Sequence, residues 1–229
     1  MDPKIVTSKS KTNSELTKSI YQELFPKKMS KSDQRKIDII EGAITAYSKT
    51  DYTSVSFDDI ASPAKTNRRL VQHYFPNKDE LFELSIKVIR GHMQSIAVEA
   101  LLKAIIPQEQ FNAYIRSTFQ WLKLKPTHVR AWILFFLVCT QKPKFKKIHS
   151  DLTKIGEKRI TSLLLSMDTI KDKDPSNLSY LSKTIQRLIT GGLIEASTEK
   201  SDNEIEIEII QEETLKTCNY IIQSISCLK

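Results

Sequence analysis

Glycine is scarce in this chain, and its scarcity excludes several classes of protein. Only 5 of the 229 residues are glycine. None of them falls in a GxGxxG or a GxxxxGK[ST] pattern, so neither of the loops that cradle nucleotide phosphates is present. A β-sandwich or barrel with many tight turns would also need more glycine. The sequence therefore predicts neither a dinucleotide-binding or P-loop enzyme nor a turn-rich β fold.

Cysteine and long apolar segments are also in short supply. The 3 cysteines are odd in number and form no CxxC pair, which argues against a disulfide framework or a zinc module. No apolar run reaches the ~18 residues of a membrane span, and the first residues, MDPKIVTSKSKTNSE, contain no apolar signal segment. We therefore expect a reduced, cytoplasmic protein that needs no cofactor and does not enter a membrane.

Catalytic motifs of helical enzymes are missing as well. None of the 4 histidines stands three residues after a glutamate, as a di-iron Glu-x-x-His site requires. HExxH and the GxSxG nucleophile elbow are absent too. His128 stands next to a predicted helix start, where we expect it to be exposed. The sequence thus predicts no enzyme, no catalytic residue and no metal site.

Prolines divide the remaining sequence into segments of helical character. The composition is 40% hydrophobic and 27% charged, with a net charge of +8, which suits a globular protein and permits an acidic partner. Apolar residues recur at helical spacing between the prolines. An all-α fold of about nine helices follows. The predicted helices cover residues 33–49, 56–62, 67–74, 78–104, 107–124, 126–141, 144–167, 176–199 and 204–227.

Two segments fit this scheme less directly. Residues 1–32 are rich in lysine and serine and are interpreted as a basic extension that ends in a short amphipathic helix, with a tail disordered throughout as the alternative. Residues 204–210, EIEIEII, alternate with period two, which is typical of a strand. Because a lone strand has no partner here, and apolar residues continue at helical spacing to the end, a helix is predicted. The lysines at 142, 144, 146 and 147 are interpreted as a solvated loop and helix start.

The most informative stretch is residues 55–78, VSFDDIASPAKTNRRLVQHYFPNK. Ser56 can cap a short helix with Asp59 three residues later, Pro63 to Thr66 form a turn, and Asn67 can cap a second helix that opens with two arginines. A helix fits the major groove of B-DNA, where arginine can bond guanine through two parallel hydrogen bonds. This pattern predicts a helix-turn-helix.

Residues 33–82 resemble the DNA-binding domain of the TetR family of bacterial transcriptional regulators. The resemblance is carried by the segments SFDDIA, NRR, HYF and PNKDELF. It implies a three-helix DNA-binding domain at 33–79, followed at 80–229 by a larger helical domain that binds a ligand and forms dimers. Carried over by position, it implies DNA contacts from eight residues. They are Ser56, Asn67, Arg68, Arg69, Gln72, His73, Tyr74 and Lys78.

The segment also departs from the family pattern at four positions. Lys65 stands where the family usually has glycine, and Leu70 and Gln72 replace threonine and tyrosine. Asp58 stands where a basic residue is frequent. We therefore keep two functions open. The first is a dimeric, sequence-specific regulator of a double-stranded DNA operator, acting as a repressor released by an apolar small-molecule effector. The alternative is a helical protein-interaction module whose DNA-binding segment has decayed.

The larger domain offers two groups of candidate residues. Aromatic side chains are dense between residues 111 and 136, which suits a pocket for an apolar ligand, although core packing explains any single residue equally well. The candidate pocket comprises Phe111, Tyr114, Trp121, Trp132, Phe135, Phe136 and Cys139. The last two helices carry apolar faces suited to a four-helix homodimer interface, with burial inside one subunit as the alternative. The candidate interface comprises Leu188, Ile189, Leu193, Ile210, Cys218, Ile221 and Ile225.

Overall fold

The protein is helical throughout the part of the chain that the computed structural model describes, which is residues 28–168, 170, 174–199 and 203–227. The amphipathic helix predicted within residues 1–32 lies outside these residues. The described ranges contain nine helices and no strand. They are α1 Lys31–Tyr47, α2 Phe57–Ala61, α3 Arg68–Tyr74, α4 Lys78–Lys103, α5 Pro107–Leu124, α6 Pro126–Gln141, α7 Pro143–Leu165, α8 Pro175–Ala196 and α9 Glu204–Cys227. The predicted all-α fold class is therefore confirmed.

Local signals explain where the helices begin. Proline is the first residue of four helices, α5 to α8, a position where its missing N–H is not needed and its fixed φ suits the helix. Ser30 caps α1 through a reciprocal pair of hydrogen bonds with Asp33. No helix in the described ranges combines the length and apolarity of a membrane span.

The chain divides into two compact units, which do not coincide with the boundary expected at residue 79. The first unit comprises residues 28–95 and 125–146, and the second comprises 96–124 and 147–227 within the described ranges. Residues 125–146 belong to the first unit because α6 packs against α1. Sequence periodicity gives the faces of α6 but not the helix that covers them.

The first unit has an aromatic core. Tyr47 and Phe82 meet edge to face at 4.7 Å between ring centroids, and Phe82 and Phe145 do so at 5.2 Å. All three rings are buried. Edge-to-face pairs of this kind add to the stabilisation from burial alone. This core supports the N-terminal helices, in which α1 packs on α2 and α2 packs on α3.

The second unit contains α5, α8, α9 and most of α7, and the first three of these helices pack against one another. Residues 204–210 are the first two turns of α9, so the predicted helix is correct. Ile207 and Ile210 are buried, whereas Ile205 and Ile209 are exposed. The alternating pattern of isoleucine and glutamate therefore marks a helix with two apolar faces rather than a strand.

Candidate nucleic-acid interface

Helix α2 depends on its N-terminal cap because it has only five residues. The Ser56 hydroxyl accepts a hydrogen bond from the Asp59 N–H at 3.2 Å, and the Asp59 carboxylate accepts one from the Ser56 N–H at 2.8 Å. This reciprocal pair is the capping box predicted from the spacing of the two residues. The hydrogen bonds from the Ser56 side chain and backbone lower the pKa of Asp59.

The turn between α2 and α3 places Lys65 in the left-handed region. Its φ is 49°, the one positive φ among the non-glycine residues described. The Thr66 N–H donates to the Ala61 carbonyl at 3.0 Å, and the Lys65 N–H donates to the Ser62 carbonyl at 3.1 Å. This is the Schellman pattern, in which the left-handed position usually holds glycine. The turn therefore keeps the conformation that glycine would favour although lysine occupies the position.

Gly42 allows α1 to approach this turn closely. A Cβ at Gly42 would lie 2.7 Å from the Ala64 Cβ, 2.8 Å from the Ile60 carbonyl oxygen and 2.9 Å from the Ala64 nitrogen. Real Cβ atoms essentially never come this close to other heavy atoms. The absence of a side chain at Gly42 thus fixes the distance between α1 and the helix-turn-helix.

Helix α3 presents a polar face to solvent. The Asn67 side chain accepts from the Leu70 N–H at 2.9 Å and caps the helix, as predicted. Val71 is buried and holds the opposite face against the core. The exposed side chains include four of the residues for which DNA contacts are predicted. They are Arg68, Arg69, Gln72 and His73.

One arginine of this face has an acidic neighbour. The Arg68 Nη1 lies 3.1 Å from the Asp58 Oδ2, and both side chains are more than half exposed. Exposed ion pairs of this kind contribute at most about 1 kcal/mol. Asp58 thus adds negative charge beside the exposed face of α3, and the ion pair between Arg68 and Asp58 would have to break before Arg68 could reach a base.

Two further predicted contact residues are less accessible. Tyr74 is half-buried and meets the His73 ring edge to face at 5.3 Å. Lys78 is half-buried as well, and its ammonium donates to the Val55 carbonyl just before the α2 cap. Lys78 therefore links the start of α4 to the start of α2, and a DNA contact from it stays a prediction.

A network of hydrogen bonds around Asp79, at the start of α4, was not predicted from the sequence. The Lys142 ammonium donates to both carboxylate oxygens of Asp79 at 2.8 and 2.9 Å, and the Tyr52 hydroxyl donates to the same carboxylate. Burial by itself would raise the pKa of Asp79, but the hydrogen bonds from Lys142 and Tyr52 outweigh it, so the pKa lies below its ordinary value. Lys142 also lies 4.6 Å from the centroid of the Tyr52 ring, a cation–π distance.

The lysines at 142, 144, 146 and 147 differ in part from the prediction of a solvated loop and helix start. Lys142 pairs with Asp79, and the Lys144 ammonium lies 2.8 Å from the Glu83 carboxylate. The hydrogen bond from Lys144 is the largest cause of a lowered pKa of Glu83. The prediction is wrong for the half-buried Lys142, because its acidic partner on α4 is some 60 residues away in sequence. Lys144 is exposed at the start of α7, as predicted, although it also has an acidic partner. Lys146 and Lys147 are exposed.

The expectation of an exposed His128 is also wrong. His128 is buried beside His92, with the two Nδ1 atoms 3.4 Å apart, and its Nε2 lies 3.3 Å from the Glu41 carboxylate. Burial, followed by the neighbouring His128, lowers the pKa of His92 to about 4. These three residues come from α1, α4 and α6, so no local spacing in the sequence signals the cluster.

The seven candidate pocket residues are divided between the two units. Phe111, Tyr114 and Trp121 belong to the second unit, where Phe111 and Trp121 are fully buried and Tyr114 is half-buried. The other four belong to the first unit. Phe135 is buried, and the partly accessible ones are Trp132, Phe136 and Cys139.

The partly accessible residues of the first unit have defined neighbours. The centroid of the Trp132 ring lies 5.5 Å from that of the Phe135 ring and 5.9 Å from that of the Phe136 ring. The Cys139 thiol donates to the Phe145 carbonyl at 3.3 Å, and burial raises the pKa of this thiol to about 11. Cys139 is therefore a protonated thiol at neutral pH. A ligand contact from any of the seven residues stays a prediction.

The candidate interface residues differ in how much surface they offer. Four of them are already buried within the single chain, where they leave little surface for a second subunit: Ile189, Leu193, Ile210 and Cys218. The other three, Leu188, Ile221 and Ile225, are half-buried. The large apolar side chains that α8 and α9 do expose were not among the predicted ones. They include Tyr180, Ile194, Ile205, Ile209 and Tyr220.

A capped short helix, a tight turn and a second helix with an exposed basic face define a helix-turn-helix DNA-binding protein. Comparison with known proteins agrees with this class. Residues 39–84 match the model of the bacterial regulatory proteins of the tetR family. The helix-turn-helix segment is therefore of the tetR type, and the relatives that the chain resembles are transcriptional regulators.

The relatives found by sequence comparison are only distantly similar to this chain. The chain is 28% identical over 102 residues to the HTH-type transcriptional regulator BetI of Rhizobium meliloti (strain 1021), a match that covers 44% of this chain and 50% of the relative. It is 24% identical over 167 residues to BetI of Vibrio atlanticus (strain LGP32), covering 72% and 80%. The chain therefore spans about half the length of the Rhizobium relative and more of the Vibrio one.

Solved structures show that the fold extends beyond the matched segment. A putative transcriptional regulator from Pseudomonas aeruginosa PAO1 superposes with a TM-score of 0.71 at 14% identity, covering 87% of this chain and 93% of that one. A putative transcriptional regulator from Saccharomonospora viridis, solved in complex with choline, gives a TM-score of 0.65 at 17% identity, covering 83% and 96%. At these identities the likeness concerns the fold alone.

Proposed function

We propose that this TetR-family regulator is a homodimeric repressor that binds operator DNA through α3 and is released by an apolar small molecule. The observation that carries the proposal is the exposed polar face of α3, which presents Arg68 and Arg69 beside Gln72 and His73. Arginine is the commonest reader of guanine in the major groove, and neighbouring polar side chains can bind phosphates.

The DNA-binding part of the proposal is tested by removing both arginines. Each good base contact contributes about 1–3 kcal/mol of discrimination, so Arg68→Ala combined with Arg69→Ala is expected to weaken specific binding by at least about 30-fold. The probe is a duplex selected by the wild-type protein from a random-sequence pool, measured by gel shift or fluorescence anisotropy. Arg130→Ala, which removes an exposed arginine of α6, is the matched control.

The salt dependence of this binding separates the proposal from the interaction-module alternative. A protein that neutralises several phosphates loses affinity steeply as salt rises, because bound counterions are released. We expect a linear decline of log affinity with log salt for the wild-type protein. Unchanged affinity in the double arginine variant would contradict the assignment of α3, and absence of any DNA selection would favour the alternative.

Dimer formation is supported by a strip of exposed apolar side chains on α8 and α9. Ile205, Ile209 and Tyr220 follow one another at helical spacing along α9 and are 73%, 45% and 71% exposed. Ile194 adds to the exposed apolar surface of α8. A two-fold dimer buries the same patch on both subunits, and dimeric helix-turn-helix proteins bind half-sites about 34–36 Å apart.

The dimer is tested by placing a charge on this strip. Ile209→Glu is expected to shift the protein from dimer to monomer in sedimentation velocity, since the charge would be desolvated in the interface. Ile155→Glu replaces another exposed isoleucine, on α7, and is expected to leave the dimer intact. A wild-type protein that sediments as a monomer at micromolar concentration would contradict the proposal.

The effector part of the proposal is supported by the partly accessible aromatic side chains. Trp132 and Phe136, both in the first unit, retain accessible surface, which an apolar ligand can cover. Because both tryptophans of the chain are candidate pocket residues, binding is expected to change the intrinsic tryptophan fluorescence. The same ligand must release the selected duplex.

A ligand screen can distinguish apolar molecules from cations. Choline, present in the Saccharomonospora structure, is a useful comparison ligand because quaternary ammonium ions bind over aromatic faces. Fluorescence change and DNA release by apolar molecules, with choline inactive, would support the proposal. Release by choline alone would show that the effector is a cation and would overturn the apolar assignment.

A further inference from the structure

We propose that Glu41, His92 and His128 form a binding site for one divalent transition-metal ion of the zinc type. The site lies entirely within the first unit, where it joins α1, α4 and α6. Metal binding goes beyond the proposed function and is measured without DNA.

The geometry of the three side chains carries the proposal. Each offers one ligand atom, and the three atoms all lie within 4.8 Å of one another. The two histidine Nδ1 atoms are 3.4 Å apart, and the His128 Nε2 is 3.3 Å from the Glu41 carboxylate. Two ligands at 2.0–2.1 Å from a tetrahedral zinc ion are about 3.3 Å apart. The two Nδ1 atoms therefore already have the spacing of two zinc ligands, whereas Glu41, which contacts the other nitrogen of His128, must turn its carboxylate toward the ion to become the third ligand.

The chemistry of the donors selects the class of metal. Imidazole nitrogens favour zinc, copper, iron and nickel over magnesium and calcium, which prefer oxygen. Two histidines and one glutamate with an open fourth position are a known zinc ligand set.

The location separates this cluster from an ordinary surface group of charges. The side chain of His128 is 3% exposed and that of Glu41 is 36% exposed, so the cluster is covered on the histidine side and reached from the glutamate side. His92 is buried as well. An ion can enter from the side of Glu41 and then be held away from bulk water by the two rings.

A bound ion would tie the helix-turn-helix to its support. Glu41 is adjacent to Gly42, the residue at which α1 approaches the α2–α3 turn. The metal would link this part of α1 to α4 and α6, so it would restrict the position of the DNA-binding helices. An effect of metal on DNA affinity rests on the proposed function, whereas the binding itself does not.

The experiment is a zinc titration of the chelator-treated, full-length protein. Isothermal titration with a competing chelator is expected to give one ion per chain. His92→Gln and His128→Gln are expected to weaken binding at least tenfold, and Glu41→Gln about tenfold, as losses of ligands or their orienting partners do. His149→Gln, which changes a histidine outside the cluster, is the matched control. Zinc is also expected to raise the Tm of the wild-type protein but not that of the two histidine variants.

Circular dichroism and the metal-free Tm show whether the variants fold. If the buried histidine variants do not fold, the Co²⁺-loaded wild-type protein decides, because a tetrahedral site with nitrogen ligands gives intense visible absorption. That absorption supports the site, and its absence overturns it. No stoichiometric zinc binding, or equal affinity in both folded histidine variants, would also overturn it. A protein that binds zinc but selects no DNA would keep the site and contradict the proposed function instead.

Discussion

Replacing Gly42 with alanine tests whether close packing of α1 fixes the helix-turn-helix. The added Cβ would lie 2.7–2.9 Å from three atoms, of which two belong to the backbone of Ile60 and Ala64. Backbone atoms cannot rotate away as the end of a side chain can. The α2–α3 turn must therefore move away from α1 by several tenths of an ångström or more.

Two opposing effects set the change in stability that Gly42→Ala causes. Overpacking of a close-packed contact costs about 1–3 kcal/mol, whereas alanine is favoured over glycine inside a helix by about 1 kcal/mol. Because the clash involves backbone, we expect the overpacking to dominate and the protein to lose about 1–2 kcal/mol of stability. At about 2–4 °C per kcal/mol for a chain of this size, Tm falls by roughly 2–8 °C.

Gly191→Ala provides the matched control. Gly191 is a helical glycine, and no atom lies within 4 Å of the position that an added Cβ would take, so only the helix preference acts there. We expect this variant to gain up to about 1 kcal/mol. Both variants are compared by thermal and urea unfolding at one protein concentration, with the dimer fraction checked by sedimentation because Gly191 lies on the exposed side of α8. Equal stabilisation of the two variants would refute the argument from close approach.

Three further predictions concern the same unit. Lys65→Gly is expected to raise stability by about 0.5–1 kcal/mol, since relief of the left-handed strain exceeds the added freedom of the unfolded chain; a lower unfolding midpoint would contradict this. Asp58→Asn frees Arg68 and removes a negative charge, so DNA affinity is expected to rise by up to about fivefold, with stability changed by less than about 1 kcal/mol. Lys142→Met is expected to cost about 1–2 kcal/mol at neutral pH, a value reduced for partial exposure of the pair. Because the pKa of Asp79 is lowered in the folded protein, its contribution is present above the ordinary value of 3.8. That contribution is lost as the pH falls through the lower folded value, so wild-type and variant unfolding curves are expected to converge in acid.

Most of the helix pattern was predictable because its signals are local. A capping serine or asparagine, a proline in a first turn and apolar residues at helical spacing act within a few residues of one another. The caps formed by Ser56 and Asn67 therefore appear where the sequence predicts them. Even the alternating segment at 204–210 forms the predicted helix, since the helical stripe that follows it continues the same element.

The partners of individual side chains were not predictable, because they come from distant parts of the chain. His128 follows a proline at a helix start, a setting typical of exposed residues, yet α1 and α4 bury it beside Glu41 and His92. Lys142 is one member of a basic run, yet it is the one that meets Asp79. Periodicity shows that a helix has an apolar face but not which element covers that face.

The sequence alone therefore determined the helices, the capped turn and the DNA-binding class, since short-range hydrogen bonding and side-chain spacing suffice for these. The tertiary structure decided which residues remain available for function. It buried Ile189, Leu193, Ile210 and Cys218 within the chain and left other apolar residues of α8 and α9 exposed. It also gathered a glutamate and two histidines from three helices. The physical reason is that burial and ligand geometry arise from contacts between elements, which no local pattern encodes.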